Sequence, residues 1–177
     1  MGAICTPSRT ASLRRLRPID ADLFRRLYTC PQVMESVGPP LTVEEANDAF
    51  VRACTHNAGD SPGHRFWTVE RAGEKVGIVA LVRSEASGEI GLLLTPEAWT
   101  GNYSRPVLRR VINHCFRAMS LDEVVAESKD GIRERVSRRL LSDFPFERIA
   151  AATGRARWRL TREAWARARR KTAPNDA

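Results

Sequence analysis

Three apolar strand-type runs follow one another between Phe66 and Thr95. They are Phe66–Glu70, Lys75–Val82 and Gly88–Thr95, separated only by the short polar stretches Arg71–Glu74 and Ser84–Ser87. Connections this short join antiparallel neighbours, because a parallel return needs a dozen or more residues. The segment therefore predicts an antiparallel meander. Pro96–Asn102 then reads as a loop, and Pro106–Met119 gives the strongest helical signal in the chain. Val107, Leu108, Val111, Ile112, Cys115, Phe116 and Met119 recur on one side of that helix. Pro106 suits its first turn, where a backbone N–H would have no partner anyway. A meander feeding a loop and a helix excludes a dinucleotide-binding fold, which needs strand–helix alternation from the start and a GxGxxG turn after its first strand.

The flanking segments extend the pattern. Leu13–Pro18 predicts an opening strand, and Asp20 or Asp22 is placed to cap the helix marked by Leu23, Phe24 and Leu27. Pro31 restarts a short turn carrying Val33, Met34 and Val37, which ends at Gly38-Pro39-Pro40. Thr42 and Glu45 form a capping-box pattern ahead of the stripe Ala46, Ala49, Phe50 and Ala53. His56–Gly63 reads as a turn-rich loop. Beyond the central helix, Asp122–Glu127 predicts a strand and Arg133–Phe144 a basic amphipathic helix. Phe146–Ile149 and Ala156–Leu160 predict two closing strands, and Thr161 caps a last segment, REAWARARRK. The order is β-α-α-β-β-β-α-β-α-β-β. The expected fold class is α/β in the broad sense, an α+β arrangement on a mixed sheet. Residues 1–12 are expected to be a flexible leader, 13–171 one domain, and 172–177 a frayed tail.

Composition narrows the functional classes. A chain of 177 residues with 42% hydrophobic content can bury a full core without disulfides or metal. Cys5, Cys30, Cys54 and Cys115 form no CxxC, and with His56, His64 and His114 they give no zinc spacing. No metal is expected. No apolar run approaches a membrane span, and the opening residues lack the apolar region of a secretory signal, so the expectation is cytoplasmic, with no membrane partner. Lys and Arg number 29 against 21 Asp and Glu, a formal charge of +8. That excess is compatible with a nucleic acid, an acidic protein or a phosphorylated small molecule.

Several pieces then line up along the chain: Leu16-Arg17-Pro18, Asp22, Tyr28, Pro31-Gln32-Val33-Met34, Thr42-Val43-Glu44-Glu45-Ala46, Trp67-Thr68-Val69, Val76-Gly77-Ile78, Glu89-Ile90-Gly91 and Arg157–Trp165. In this order they resemble the GCN5-related N-acetyltransferases, in their ribosomal-protein N-acetyltransferase branch, over about residues 13–170. The resemblance implies an acyl-CoA N-acyltransferase fold and acetyl-CoA as cosubstrate. It implies transfer to a primary amine, on a protein N-terminus or a small molecule, and it is compatible with a homodimer.

The family's coenzyme loop opens the central helix, and here it reads Trp99-Thr100-Gly101-Asn102-Tyr103-Ser104. Such a loop turns backbone N–H groups toward a pyrophosphate at a helix N-terminus. Asn102 stands at the key glycine position. Asparagine is the non-glycine residue that best tolerates left-handed backbone. Arg105, with Arg109 or Arg110, is placed to meet phosphates; the alternative for each is a solvated basic face. Main-chain groups of Leu92, Leu93 and Leu94 would pair with pantetheine as an added strand does. A further family position, Asn-x-x-Ser, reads Glu134-Arg135-Val136-Ser137 here, so the serine that protonates a leaving thiolate is retained as Ser137. Glu134 replaces the asparagine and Pro145 replaces a later glycine.

Acetyl transfer needs a proton acceptor, and Glu89 on the strand beside the expected acyl site is the first candidate. His64 is a weaker candidate, Tyr103 an orienting or packing residue, and Cys115 a core thiol. The altered positions keep a second reading open: a non-enzymatic member that binds a nucleotide-like ligand or a protein as a regulator or adaptor. Nucleic-acid binding through the basic segments 133–139 and 162–171 lacks interleaved aromatics and is disfavoured. The charge gathers at Arg14–Arg17, Arg105–Arg110, Arg133–Arg139 and the C-terminal segment. Two of these clusters flank the expected coenzyme groove.

Overall fold

A computed structural model describes residues 11–59, 63–100 and 104–172. Among these residues seven strands form one sheet: β1 (Ser12–Arg15), β2 (Arg65–Arg71), β3 (Glu74–Ser84), β4 (Ser87–Leu94), β5 (Glu123–Lys129), β6 (Glu147–Ile149) and β7 (Arg155–Thr161). Their order is β1-β2-β3-β4-β5-β7-β6. The predicted meander is present, with Trp67 opposite Val79 and Leu81 opposite Ile90. The β4–β5 pair is the parallel one, and α4 (Ser104–Arg117) makes the crossover between them. Two glycines permit the close packing of β3 and β4. A Cβ on Gly88 would lie 2.6 Å from Leu121 Cδ1 and 2.7 Å from Leu81 Cδ1, and one on Gly77 would collide with the Leu93 carbonyl.

The period-2 alternation of the strands sorts the helices onto two faces. On the front, α1 (Ala21–Thr29), α2 (Pro31–Met34) and α3 (Val43–Ala58) pack Leu23, Phe24, Leu27, Val33, Met34 and Ala53 against Ile78 and Leu93. On the back, Val107, Leu108, Val111, Ile112 and Cys115 of α4 meet Val79, Leu81, Ile90, Val124 and Leu160. The back also takes α5 (Ile132–Leu141), through Leu141 against Ala156 and Trp158, and α6 (Arg162–Thr172), through Trp165. Burying each of these large side chains stabilises the fold by roughly 1.5–3 kcal/mol. The helices that pack on β5 and β7 are the back-face ones. The front of those two strands carries charges instead: Glu123, Glu127, Arg155, Arg157 and Arg159.

The capping box ahead of α3 is formed as expected. The Glu45 N–H donates to Thr42 Oγ1 at 3.2 Å, and the Thr42 N–H donates to the Glu45 carboxylate at 2.8 Å. Two local expectations are corrected. Asp20 makes no side-chain cap for α1. Its fully buried carboxylate instead accepts from Arg14 at 2.6 and 2.8 Å, Thr68 Oγ1 at 2.9 Å, the Arg17 N–H at 2.9 Å and Lys75 at 2.9 Å. Burial alone would raise this carboxyl. The bonds from Arg14, Lys75, Arg17 and Thr68 outweigh it and hold the group well below the usual carboxylate range. The expected loop at His56–Gly63 also begins later, because α3 continues to Ala58. Asn57 holds that last turn down: its side chain donates to the Phe66 carbonyl at 2.8 Å and the Leu16 carbonyl at 3.3 Å, and accepts from the Phe66 N–H at 3.0 Å.

Candidate functional site: a split in the sheet

Strands β4 and β5 pair only at Ser87–Glu123, Gly88–Val124 and Glu89–Val125. Beyond that register each follows its own outer partner. Leu94 stays opposite Gly77 of β3, and Lys129 stays opposite Arg155 of β7. Ile90–Leu94 and Ala126–Lys129 therefore face each other across a gap. A cavity of about 100 Å³ lies inside the split, between Ile90, Gly91 and Leu92 on one side and Ala126, Glu127 and Ser128 on the other. A second cavity of about 350 Å³ lies at its open end, against Leu92, Leu93, Leu94, Trp99, Ser104, Val136, Ser137 and Leu140. Ser36, Leu92, Ser137 and Leu140 line both. The Lys129 N–H donates to the Ser36 carbonyl at 3.3 Å, and Arg155 donates to the Val37 carbonyl at 3.1 Å, which ties the segment after α2 across the front of the gap.

The free strand edge is on β4. The Thr95 N–H bonds the Val76 carbonyl of β3 at 3.0 Å. Main-chain groups alternate in direction along a strand, so those of Leu92 and Leu94 point the other way, into the gap, and those of Leu93 point to β3. The Leu94 carbonyl is already taken by the Trp99 indole N–H at 3.0 Å. Of the three expected leucines, Leu92 thus presents main-chain groups to the gap with no β5 residue in register, and Leu93 serves the front core.

The coenzyme-loop positions are only partly described. Gly101, Asn102 and Tyr103 lie outside the described residues. Thr100 is exposed, and Ser104 is the buried first residue of α4. With no acidic residue in its first turn, α4 presents the positive end of its dipole beside the larger cavity. The arginines expected for phosphates have other contacts. Arg105 is ion-paired with Asp143, Arg109 lies over the Phe144 ring at 5.8 Å from its centroid, and Arg110 donates to the Ala11 carbonyl at 3.3 Å.

Ser137 reaches both cavities from α5. Glu134, one turn earlier, pairs with Arg148 of β6 at 3.2 Å and lines neither cavity. Pro145 lies in a separate groove with Phe146, Ala164 and Arg167.

Glu89 sits at the last paired register, on the front of the split, and its side chain is exposed. Partial desolvation and the neighbouring Glu127 raise its carboxyl above the ordinary value, against the lowering charges of Arg157 and Arg155. It makes no hydrogen bond or ion pair among the described residues. Glu127, by contrast, lines the inner cavity but is held by Arg155 at 2.6 Å. His64 is part of the frame: its Nδ1 accepts the Arg83 N–H at 3.0 Å, and desolvation with the His56 charge lowers it. Cys115 is fully buried, and burial pushes its thiol up to about 12. Sequence reasoning missed Ser36, Glu127 and Ser128. Glu127 alone carried a signal, as an acidic residue ending a predicted strand in an otherwise apolar run.

A divided mixed sheet with a free inner strand edge beside a helix N-terminus leaves a narrow space between β4 and β5. The acetyltransferase (GNAT) domain model matches residues 11–141, and the chain belongs to that family. Its structure is similar to a spermidine N-acetyltransferase from Vibrio cholerae in complex with CoA and spermine, at TM-score 0.74 and 16% identity over 88% of this chain and 98% of that one. It is also similar to a GNAT-family acetyltransferase from Bacillus anthracis, at TM-score 0.70 and 15% identity over 86% and 95%. At these identities the likeness is one of fold. Among the described residues, no helix is long and apolar enough to cross a membrane.

Proposed function

We propose that the protein is an acetyl-CoA-dependent N-acetyltransferase that acts on a primary amine, of a small molecule or a protein N-terminus in the manner of the ribosomal-protein branch. The observation that carries this reading is the split sheet, which opens just past the last paired register at Glu89 and whose inner cavity is lined by the strand edge at Leu92. The residues fit the cosubstrate's arm. Leu92 offers main-chain partners for amides, Leu94, Val136 and Leu140 offer apolar walls, and the α4 N-terminus with Ser104 faces the end where a diphosphate would lie.

The cosubstrate supplies an acetyl group activated as a thioester. Glu89 accepts the proton of the acceptor ammonium, a role its raised carboxyl favours because a base works best with a pKa nearer the operating pH. Glu127, fixed by Arg155, adds to the desolvation that raises Glu89, so it acts as a positioning residue. Ser137, lining both cavities, donates its hydroxyl proton to the departing sulfur. The test is calorimetry with acetyl-CoA followed by thiol release over an amine panel. Binding and turnover are expected, with KM between about 1 μM and 1 mM. Absence of both would overturn the reading. The internal contacts of Arg105, Arg109 and Arg110 favour a second reading, a regulator or adaptor that binds a less charged ligand in the same groove. That reading predicts binding without turnover.

A further inference from the structure

The uncovered front of β5 and β7 points to the kind of amine that fits this site. Two cross-strand rows flank the front opening of the split. One runs Glu89, Val125, Arg159 and the other Gly91, the gap, Glu127, Arg157. Neighbouring strands lie about 4.8 Å apart, so Arg159 stands two strand spacings from Glu89, and Arg157 stands one spacing beyond Glu127 on the far wall of the gap from Gly91. Arg155 is satisfied by Glu127 at 2.6 Å and the Val37 carbonyl at 3.1 Å. Arg157 and Arg159 are not. Their nearest carboxylates, Glu127 and Glu147, are 3.8 Å away, beyond hydrogen-bond distance. Neither guanidinium makes a side-chain hydrogen bond among the described residues, and the Nε of each is buried without a partner.

A buried N–H left unpaired is costly, and two adjacent ones on the same face of one strand form a paired defect. The two side chains are 40% and 41% exposed, so their terminal N–H groups stay open to a planar anion, and a guanidinium offers parallel N–H donors that match a carboxylate. A polyamine has the opposite requirement. The carboxylates that would receive its distal charges are Glu127, committed to Arg155, and Glu147, which is highly exposed.

We propose that the acceptor is a small amine bearing a carboxylate, the amine over Glu89 and Gly91 and the carboxylate held by Arg157 and Arg159. This rests on the N-acetyltransferase reading and adds the substrate class to it. The acceptor does not belong to the class named for the Vibrio cholerae neighbour.

The experiment uses the full chain with acetyl-CoA and compares kcat/KM for ω-amino carboxylates with that for n-alkylamines of equal length and for spermidine. The amino carboxylate is expected to be preferred by about ten- to a hundredfold, the range for hydrogen bonds to a charged group. Arg157→Gln and Arg159→Gln are expected to bring that ratio toward one, chiefly through KM of the amino carboxylate. Arg159→Lys, which keeps the charge without the fork, should recover part of it. Thermal unfolding of each variant separates a folding defect from a binding one; a variant that fails to fold is replaced by Arg→Met, which keeps the aliphatic stem. Preference for spermidine or the alkylamine, or variants that slow every amine equally, overturns the proposal and leaves the enzyme reading standing. Transfer to no amine at all overturns both.

Discussion

Gly91 is the position where the split can be closed without disturbing the fold. It lies on β4 opposite Ala80, lines the inner cavity, and an added Cβ there meets nothing within 4 Å. Its backbone is not left-handed. A side chain at such a strand position restricts the unfolded chain, and Gly91→Ala should stabilise by about 0.4–1 kcal/mol. Gly91→Val should do at least as well, since a β-branched residue suits a strand. The melting temperature should rise by roughly 1–4 °C for a chain of this size. Catalysis should move the other way. The inner cavity is only about 100 Å³, and displacing a reactant by about 1 Å from its attack position costs on the order of 100-fold. Gly91→Val is therefore expected to lower kcat/KM by about 100-fold and Gly91→Ala by less. Acetyl-CoA affinity should fall much less than kcat/KM, because Gly91 lines the inner cavity and not the larger one. Melting curves, calorimetry and thiol-release kinetics on the three proteins measure each part. A Gly91→Val protein that is stable and fully active would show that the chemistry does not occur in the split.

Three further expectations follow from the same geometry. Ser137→Ala should lower kcat by about 100-fold while acetyl-CoA still binds, which single-turnover kinetics resolves. Asp20→Ala strands Arg14 and Lys75 beside an emptied buried site and should destabilise by about 3–5 kcal/mol in urea unfolding. Because Asp20 is depressed in the folded state, its contribution is present at neutral pH and is lost as the pH falls below the ordinary aspartate value. Glu89 has the opposite sign. Its raised carboxyl makes the native state hold a proton longer than the unfolded chain, so stability falls as pH rises out of the ordinary carboxylate range. Glu89→Gln should match the parent in acid and exceed it in stability at neutral pH, while losing activity there.

The elements whose evidence is local were legible in the amino-acid order. The meander shows in alternation and two short turns, α4 in its apolar stripe behind Pro106, and the start of α3 in Thr42 and Glu45. What depends on distant partners was not. Asp20 resembles a helix cap from its neighbours alone; only Thr68 and Lys75, brought back by the fold, make it a buried ionic hub. Nothing local announces that β7 inserts between β5 and β6. The site divides in the same way. Ser137 and the β4 edge follow from the resemblance, whereas Arg148 capturing Glu134 and Arg155 capturing Glu127 are cross-strand and strand–helix pairings visible only in three dimensions. The Trp99 indole on the Leu94 carbonyl narrows the free edge to Leu92 for a similar reason: a loop side chain folds back on the strand before it.

The central claim is that acetyl-CoA binds as a short extra strand against β4 in the split. Amide hydrogen exchange with and without acetyl-CoA tests it directly. Protection should appear in peptides spanning Ile90–Leu94 and the first turn of α4, with little change in β2 or β6. Binding of acetyl-CoA that leaves exchange at Ile90–Leu94 unaltered would contradict the account.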